Sequence, residues 1–209
     1  MFKSLKQPGG ETHGHFLKGR LCGYGRVEYV GGDSYIGMFK DGKRSGTGEM
    51  IFNQFNDLLN DYQPAKFVGE WKFNKRNGQG TMTWPDNSKF EGEWSNDFRV
   101  FGKLEMPDHN IYEGFFKSDQ FHGVGKIHYE REGLVYEGMF SEGLASNIGK
   151  VTNKNLKQTY IGEIEELRQH GVGILIDHGS GMRYEGEFED DIAVGEGTII
   201  YQNGDTYQG

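Results

Sequence analysis

Gly-x-Gly pairs punctuate the chain, six of them at Gly23/Gly25, Gly46/Gly48, Gly78/Gly80, Gly123/Gly125, Gly171/Gly173 and Gly195/Gly197. Glycines at this spacing can cradle a phosphate. A dinucleotide loop, however, needs a third glycine in G-x-G-x-x-G between a strand and a helix. None of the six has it, and no βαβ pattern follows, so they are read as scaffold. His122 and His170 each stand directly before the first glycine of a pair, where Cys22, Ser45, Asn77 and Val194 stand in others. A slot that accepts Cys, Ser, Asn and Val does not need an imidazole. His13 and His15 share one side of a strand, but with no Cys or carboxylate at a usual ligand spacing they are read as a polar face. Cys22 has no neighbour that would orient a histidine for nucleophilic chemistry.

Carboxylates crowd residues 185–191, with Glu185, Glu187, Glu189, Asp190 and Asp191. Paired acids can cleave glycosides only where a pocket fixes their separation. Here Glu185 and Glu187 alternate with Tyr184, Gly186 and Phe188, so the glutamates project from the opposite, solvated face and form a candidate docking surface for a basic partner. The most basic stretch carries Lys66, Lys72, Lys75, Arg76 and Lys89 near Trp71 and Trp84. Basic residues interleaved with aromatics can meet lipid headgroups or RNA, but Trp71 sits at a periodic position that assigns it to the core face. No catalytic, metal-binding or cofactor-binding residue is assigned, and the chain is read as non-enzymatic.

The elements that position these residues come from a repeated phrase, aromatic-x-Gly-x-aromatic followed by Gly-x-Gly. It reads Tyr35, Gly37, Phe39 with Gly46 and Gly48, then Phe67, Gly69, Trp71 with Gly78 and Gly80. It returns as Tyr112, Gly114, Phe116 with Gly123 and Gly125, and as Tyr184, Gly186, Phe188 with Gly195 and Gly197. Anchors at Thr12 (a degenerate start), Tyr35, Phe67, Phe90, Tyr112, Tyr136, Tyr160, Tyr184 and Tyr207 are spaced 23, 32, 23, 22, 24, 24, 24 and 23 residues apart. Such a period signals a repeat array. Eight repeats follow a tail over residues 1–11 and fill residues 12–209. A ninth opens at Tyr207, from which the chain is expected to continue beyond Gly209 as part of a longer protein.

Within a repeat the period is two, as in a strand. Each repeat is expected to be a β-hairpin with a six-residue connection, Gly and aromatics sharing a face so that a ring lies where a glycine leaves no Cβ. Eight such hairpins predict an elongated, all-β ribbon on the order of 75–80 Å long. Three places break the rhythm. Residues 53–66 form an insertion in which Phe55, Leu58, Leu59 and Tyr62 fall at helical spacing, predicting a short helix that ends at Pro64 and could dock a partner. Val100 and Asn147 replace the first glycine of their pairs, candidate bends or contact sites.

Composition narrows the function classes. Residues 1–110 hold 15 Lys/Arg and 14 Asp/Glu, whereas residues 111–209 hold 8 and 17. The net charge of −8 weighs against nucleic acid and against avid attachment to anionic lipid. Residues 1–14 have no apolar core of a secretory signal, no run of about 18 apolar residues is present, and Cys22 has no internal partner. A reducing, cytoplasmic setting is expected.

The phrase resembles the MORN (membrane occupation and recognition nexus) repeat, most closely in FVGEWKFNKRNGQGTMTWPDNSK, residues 67–89, followed by Phe90-Glu91-Gly92-Glu93-Trp94. The resemblance covers about residues 12–209. It implies stacked hairpins in a twisted, groove-like sheet, and a non-catalytic scaffold in a cytoskeletal or ciliary axonemal assembly, such as a radial spoke head. Its partners would be other proteins of that assembly, another MORN-repeat chain, or a second copy by strand-edge pairing. MORN arrays also precede SET-type methyltransferase and phosphoinositide kinase domains and tether membranes, so a regulatory module or a peripheral tether is the alternative.

Overall fold

The computed structural model describes residues 2–7, 10–56 and 61–209, and among them every regular element is a β-strand. The chain divides into two compact parts, Met1–Pro107 and Asp108–Gly209. The N-terminal part runs β1 (Phe2–Gln7), β2 (Gly10–Leu17), β3 (Arg20–Tyr29), β4 (Ser34–Lys40), β5 (Lys43–Asn56), β6 (Asp61–Lys72), β7 (Lys75–Thr83), β8 (Lys89–Ser95) and β9 (Phe98–Glu105). The C-terminal part runs β10 (Ile111–Lys117), β11 (Gln120–Tyr129), β12 (Leu134–Ser141), β13 (Leu144–Asn153), β14 (Gln158–Glu165), β15 (Arg168–Asp177), β16 (Met182–Glu189), β17 (Ile192–Ile200) and β18 (Thr206–Gln208). Within each part every strand pairs antiparallel with the next in sequence. The protein is therefore all-β, a meander of hairpins, as the period of two requires.

Each repeat is one hairpin. The expected six-residue connection is shorter than that: β4 runs on to Lys40 and β5 resumes at Lys43. Only two residues turn the chain, and both have positive φ, as in Asp41-Gly42 (52° and 79°) and Asn96-Asp97 (51° and 76°). This is the sign pattern of the hairpin turn whose twist matches that of the strands. Successive turns are tied together. The second turn residue donates its N–H to a carbonyl of the preceding repeat, Gly42 to Leu21 at 2.9 Å, Asn74 to Arg44 at 3.0 Å and Asp191 to Gln169 at 3.1 Å. Asn74, Asp97 and Asp191 add a side-chain oxygen that accepts the N–H of Arg44, Arg76 and Gln169.

The glycines divide by physical cause. The second of each pair lies opposite the glycine of the aromatic phrase, Gly48 against Gly37 and Gly173 against Gly162. A Cβ on Gly48 would overlap the Tyr35 ring, and one on Gly173 the Tyr160 ring. The expected seating of rings in a glycine furrow therefore holds here. The first glycine serves the backbone instead. Between Gly37/Gly48 and Phe39/Arg44 the register shifts by a bulge in β5, and Gly46 in that bulge has φ +92°, a region that L-residues avoid. In the first repeat Thr12 supplies no ring, and Leu21 Cδ1 occupies the furrow at Gly14 and Gly25.

This division accounts for Val100. Gly92/Gly102 and Trp94/Arg99 differ in register by a single residue, so the fourth repeat lost the residue that would need positive φ, and a β-branched side chain fits. Asn147 likewise has no positive φ; it stands exposed in a repeat whose bulge follows a different path. Nothing about either position requires a bend.

Two expectations are corrected. Residues 53–56 and 61–64 continue β5 and β6, with Asn53 opposite Pro64 and Phe55 opposite Tyr62, so the insertion lengthens a hairpin and is not a helix. Residues placed symmetrically about a turn mimic helical spacing, and Phe and Tyr favour strands. Leu58 and Leu59 lie outside the described residues. The segment read as a tail over residues 1–11 contributes β1, in register with β2 from Phe2/His15 to Gln7/Gly10.

Candidate partner-binding surfaces

The aromatic face of each part is both core and lining. Tyr35, Phe67 and Phe90 are fully buried in the N-terminal part, as are Tyr112 and Tyr136 in the C-terminal part. Their rings pack edge-to-face with the second aromatic of the phrase, Tyr35–Phe39 at 5.0 Å, Phe67–Trp71 at 5.2 Å and Tyr184–Phe188 at 5.2 Å. The polar atoms of these rings are satisfied in two ways. Tyr112 and Tyr160 donate their hydroxyls to the Phe115 and Glu163 carbonyls, at 2.9 and 2.8 Å. Where the anchor is Phe, the tryptophan donates instead, Trp71 Nε1 to Gly48 O at 3.3 Å and Trp94 Nε1 to Gly80 O at 3.2 Å. Burial pushes the Tyr35 and Tyr112 phenols up to about 12, which keeps both neutral donors at any physiological pH.

Above these rings, the residue two places beyond each turn lines the groove. In the N-terminal part it is Arg44, Arg76 and Arg99 in successive repeats. The Arg44 guanidinium lies 4.3 Å from the Trp71 ring and that of Arg76 4.2 Å from Trp94. Arg44 Nη2 donates to Asn74 O and Arg76 Nη2 to Asp97 O, at 2.8 and 2.9 Å. Arg44 and Arg76 are thus clamped between a ring and the next turn, an arrangement worth about 0.5–2 kcal/mol beyond packing. A cavity of about 360 Å³ opens between Arg44, Phe52, Trp71, Arg76 and Asp97.

In the C-terminal part the same place holds Phe121, Ala145, Gln169 and Ala193. Phe121 stacks flat on Tyr112, centroids 3.8 Å apart, and Ala145 lines a cavity of about 420 Å³ with Phe121, Ile127, Phe140 and Ile164. Beside Gln169 the groove opens into a trough of about 640 Å³ walled by Tyr129, Leu134, Val151, Leu156, Tyr160 and Leu175. Its rim is polar, with Glu132, Glu166, Arg168 and Asp191. A trough with an apolar floor and a charged rim is the form of a protein-recognition site.

The opposite face is laced with ion pairs between residues two apart on a strand or across strands. Examples are Lys89–Glu91 at 2.7 Å, Arg183–Glu185 at 2.7 Å, and Glu137 between Lys126 and Lys150 at 3.0 and 3.4 Å. The Lys126 ammonium, with burial opposing it, holds the Glu137 carboxyl below its usual range. Lys66 pairs with Glu49 and Arg76 with Asp97. The basic stretch seen in the sequence is therefore divided among the groove, the outer face and the turns.

Of the docking residues expected from sequence, Glu185, Glu187 and Glu189 share the face of β16 opposite Phe188, as their alternation implies. Glu185 is engaged by Arg183, Glu187 leans towards the bulge at Gly195, and Glu189 is exposed beside the turn. Phe55 and Tyr62 are cross-strand partners in the N-terminal part, whereas these acids belong to the C-terminal part. His13 Nε2 stands 3.5 Å from Glu11 Oε1, and His15 is the cross-strand partner of Cys22. Among the described residues no three His, Cys, Asp or Glu side chains converge on a point. The trough was not anticipated, although a signal was present: the place two beyond the turn, Arg in three N-terminal repeats, is Gln169 where the trough opens.

The MORN repeat family matches residues 13–34, 35–54, 67–89, 90–111, 112–131 and 184–206. The hairpins β12–β13 and β14–β15, which that match passes over, keep the same glycine pairing, Gly138/Gly149 and Gly162/Gly173. Human alsin is 30% identical over 147 residues, covering 68% of this chain and 9% of alsin. MORN repeat-containing protein 3 of Xenopus laevis is 35% identical over 72 residues, covering 31% of this chain and 30% of that protein. The chain thus spans about a tenth of alsin. A solved Drosophila melanogaster structure, the SAS-4 (dCPAP) TCP domain in complex with a proline-rich motif of Ana2 (dSTIL), is 10% identical. It aligns with all of this chain and 88% of that one at a TM-score of 0.32, too slight a likeness to bear on fold or function.

Proposed function

The chain belongs to the MORN repeat family, and from that premise we propose that it is a non-catalytic interaction scaffold whose aromatic face holds an apolar segment of a partner protein. The observation that carries this reading is the trough in the C-terminal part, floored by Leu134, Val151, Leu156 and Leu175, where Gln169 stands in the place of the ring-capping arginines. Acidic residues on its rim suit a segment with basic flanks. Glu185, Glu187 and Glu189 extend the same preference on the other face. Leu134→Glu with Leu175→Glu places two carboxylates in the trough, and proteins that co-purify with the wild-type chain through it should be depleted at least tenfold in quantitative mass spectrometry. An unchanged set of partners from the correctly folded variant contradicts the reading.

The partners are taken to be proteins of a larger cytoplasmic assembly, cytoskeletal and in particular ciliary, of the radial-spoke-head kind. The resemblance of the repeats supports this setting. A fluorescent fusion that never concentrates on cytoskeletal or axonemal structures overturns it. A second reading, a regulatory or substrate-positioning module of a longer polypeptide, is favoured by the alsin alignment, in which a comparable stretch fills only a small share of a much longer chain. Full-length transcripts encoding a SET-type or phosphoinositide kinase domain in the same chain would establish it.

A further inference from the structure

The turns of the two parts carry opposite charge. In the first three repeats Lys18, Arg20, Lys40, Lys43, Lys72 and Lys75 flank the hairpin turns, against Asp41 alone, a net of +5. In the last three repeats Glu142, Glu165, Glu166, Glu189, Asp190 and Asp191 hold the same places, against Arg168, a net of −5. All of them are exposed.

Among the described residues none of the six cations of the basic set forms an ion pair, and Lys40 stands directly opposite Lys43 and Lys72 opposite Lys75 across their strands, pairings that destabilise a hairpin. On the acidic set Arg168 answers only Glu166 and Asp190, at 3.2 and 2.8 Å. Each flank also exposes large apolar side chains, Phe73 (63%) on the basic one and Leu144 (74%) and Ile192 (65%) on the acidic one. These can be desolvated at the centre of a contact.

We infer that the basic turn flank of one copy docks on the acidic turn flank of a second copy. The charges match in number and opposite sign. They also match in spacing, because both flanks present one turn per hairpin, about 10 Å apart by the strand separation, so three basic turns meet three acidic turns in register. An unrelated acidic protein or an anionic membrane would match the sign without the period. This contact is independent of the trough.

Two charge-reversed variants test it. The first carries Lys40→Glu, Lys43→Glu, Lys72→Glu and Lys75→Glu; Glu165 and Glu189 already occupy the Lys40 place in later repeats. The second carries Glu142→Lys, Glu166→Lys, Glu189→Lys and Asp190→Lys. Three of these are first turn residues, a place that Lys18 fills at φ 49°. By sedimentation velocity at about 50 mM salt, where exposed charges are weakly screened, the wild-type chain should self-associate. Its dissociation constant should rise at least about tenfold at about 500 mM salt.

Each variant alone should be monomeric, one having two acidic flanks and the other two basic ones. Mixing them should restore association as a heteromer. The inference is overturned if the wild-type chain is monomeric at low salt or binds only anionic vesicles, if its association ignores salt, if the variants self-associate like the wild type, or if their mixture stays monomeric. Should a variant fail to fold, judged by far-UV circular dichroism, the salt dependence of the wild-type chain still decides.

Discussion

Two places beyond the hairpin turn, the N-terminal part has arginine in three successive repeats, and the C-terminal part has Phe121, Ala145, Gln169 and Ala193. Beneath that place the two parts are alike, with rings over facing glycines, a bulge, and turns tied to the preceding repeat. Arg44 and Arg76 lie on Trp71 and Trp94, beside a cavity of about 640 Å³ around Leu21, Phe39, Arg44 and Met50; in the C-terminal part Gln169 takes the arginine place at a trough of equal volume. A repeat frame that tolerates such exchange can vary its binding surface without rebuilding its core. The division of labour is sharp: glycines and rings hold the fold, and the residue above them sets what the groove accepts.

The largest effects should come from the shared frame. Gly80→Ala in the N-terminal part and Gly173→Ala in the C-terminal part push a methyl into the Phe67 and Tyr160 rings. Each should cost about 3 kcal/mol, at the upper end for overpacking, measured by urea denaturation. A much smaller cost in one part would break the equivalence of the two. Next in size is Arg76→Ala, which removes the stack on Trp94 and the hydrogen bond to Asp97. It should cost about 1–2 kcal/mol and widen the cavity that Arg76 lines beside Trp71, read by increased binding of a hydrophobic dye. No change in dye binding would separate groove opening from the arginine slot.

The smallest effect concerns the connections between repeats. In the C-terminal part Asp177 accepts N–H groups of Ser180 and Gly179 and the Gln158 amide, which lowers its pKa from 3.8 to about 2. A depressed folded-state pKa contributes stability that is present above about pH 4 and lost as pH falls towards 2. The melting temperature difference between the wild-type chain and Asp177→Asn should therefore shrink between pH 6 and pH 2. In the N-terminal part the carboxyl of Asp86 is likewise lowered, first by the Ser88 hydroxyl, so Asp86→Asn should behave in the same direction.

Strand alternation, repeat boundaries and the seating of rings on glycines were legible in the sequence because they depend on residue type at a fixed period. The role of the first glycine was not, since Gly46 and Gly48 look alike until the bulge gives one a positive φ and the other a ring. The insertion misled because Phe55 and Tyr62, cross-strand partners of β5 and β6, also stand at helical spacing. β1 escaped notice because Phe2–Gln7 lacks the repeat phrase. The trough was hidden for a different reason: Leu134, Val151, Leu156 and Leu175 stand far apart in the sequence, and Gln169 gives no signal unless aligned with Arg44, Arg76 and Arg99.

The claim that rings occupying the glycine furrow hold both parts together is tested most directly by a double-mutant cycle between Tyr160 and Gly173. Gly173→Ala should be costly beside Tyr160 and nearly neutral in a Tyr160→Leu background, where the ring that it strikes is gone. The coupling should be about 2 kcal/mol, within the range for residues in contact. Costs that simply add would contradict the account.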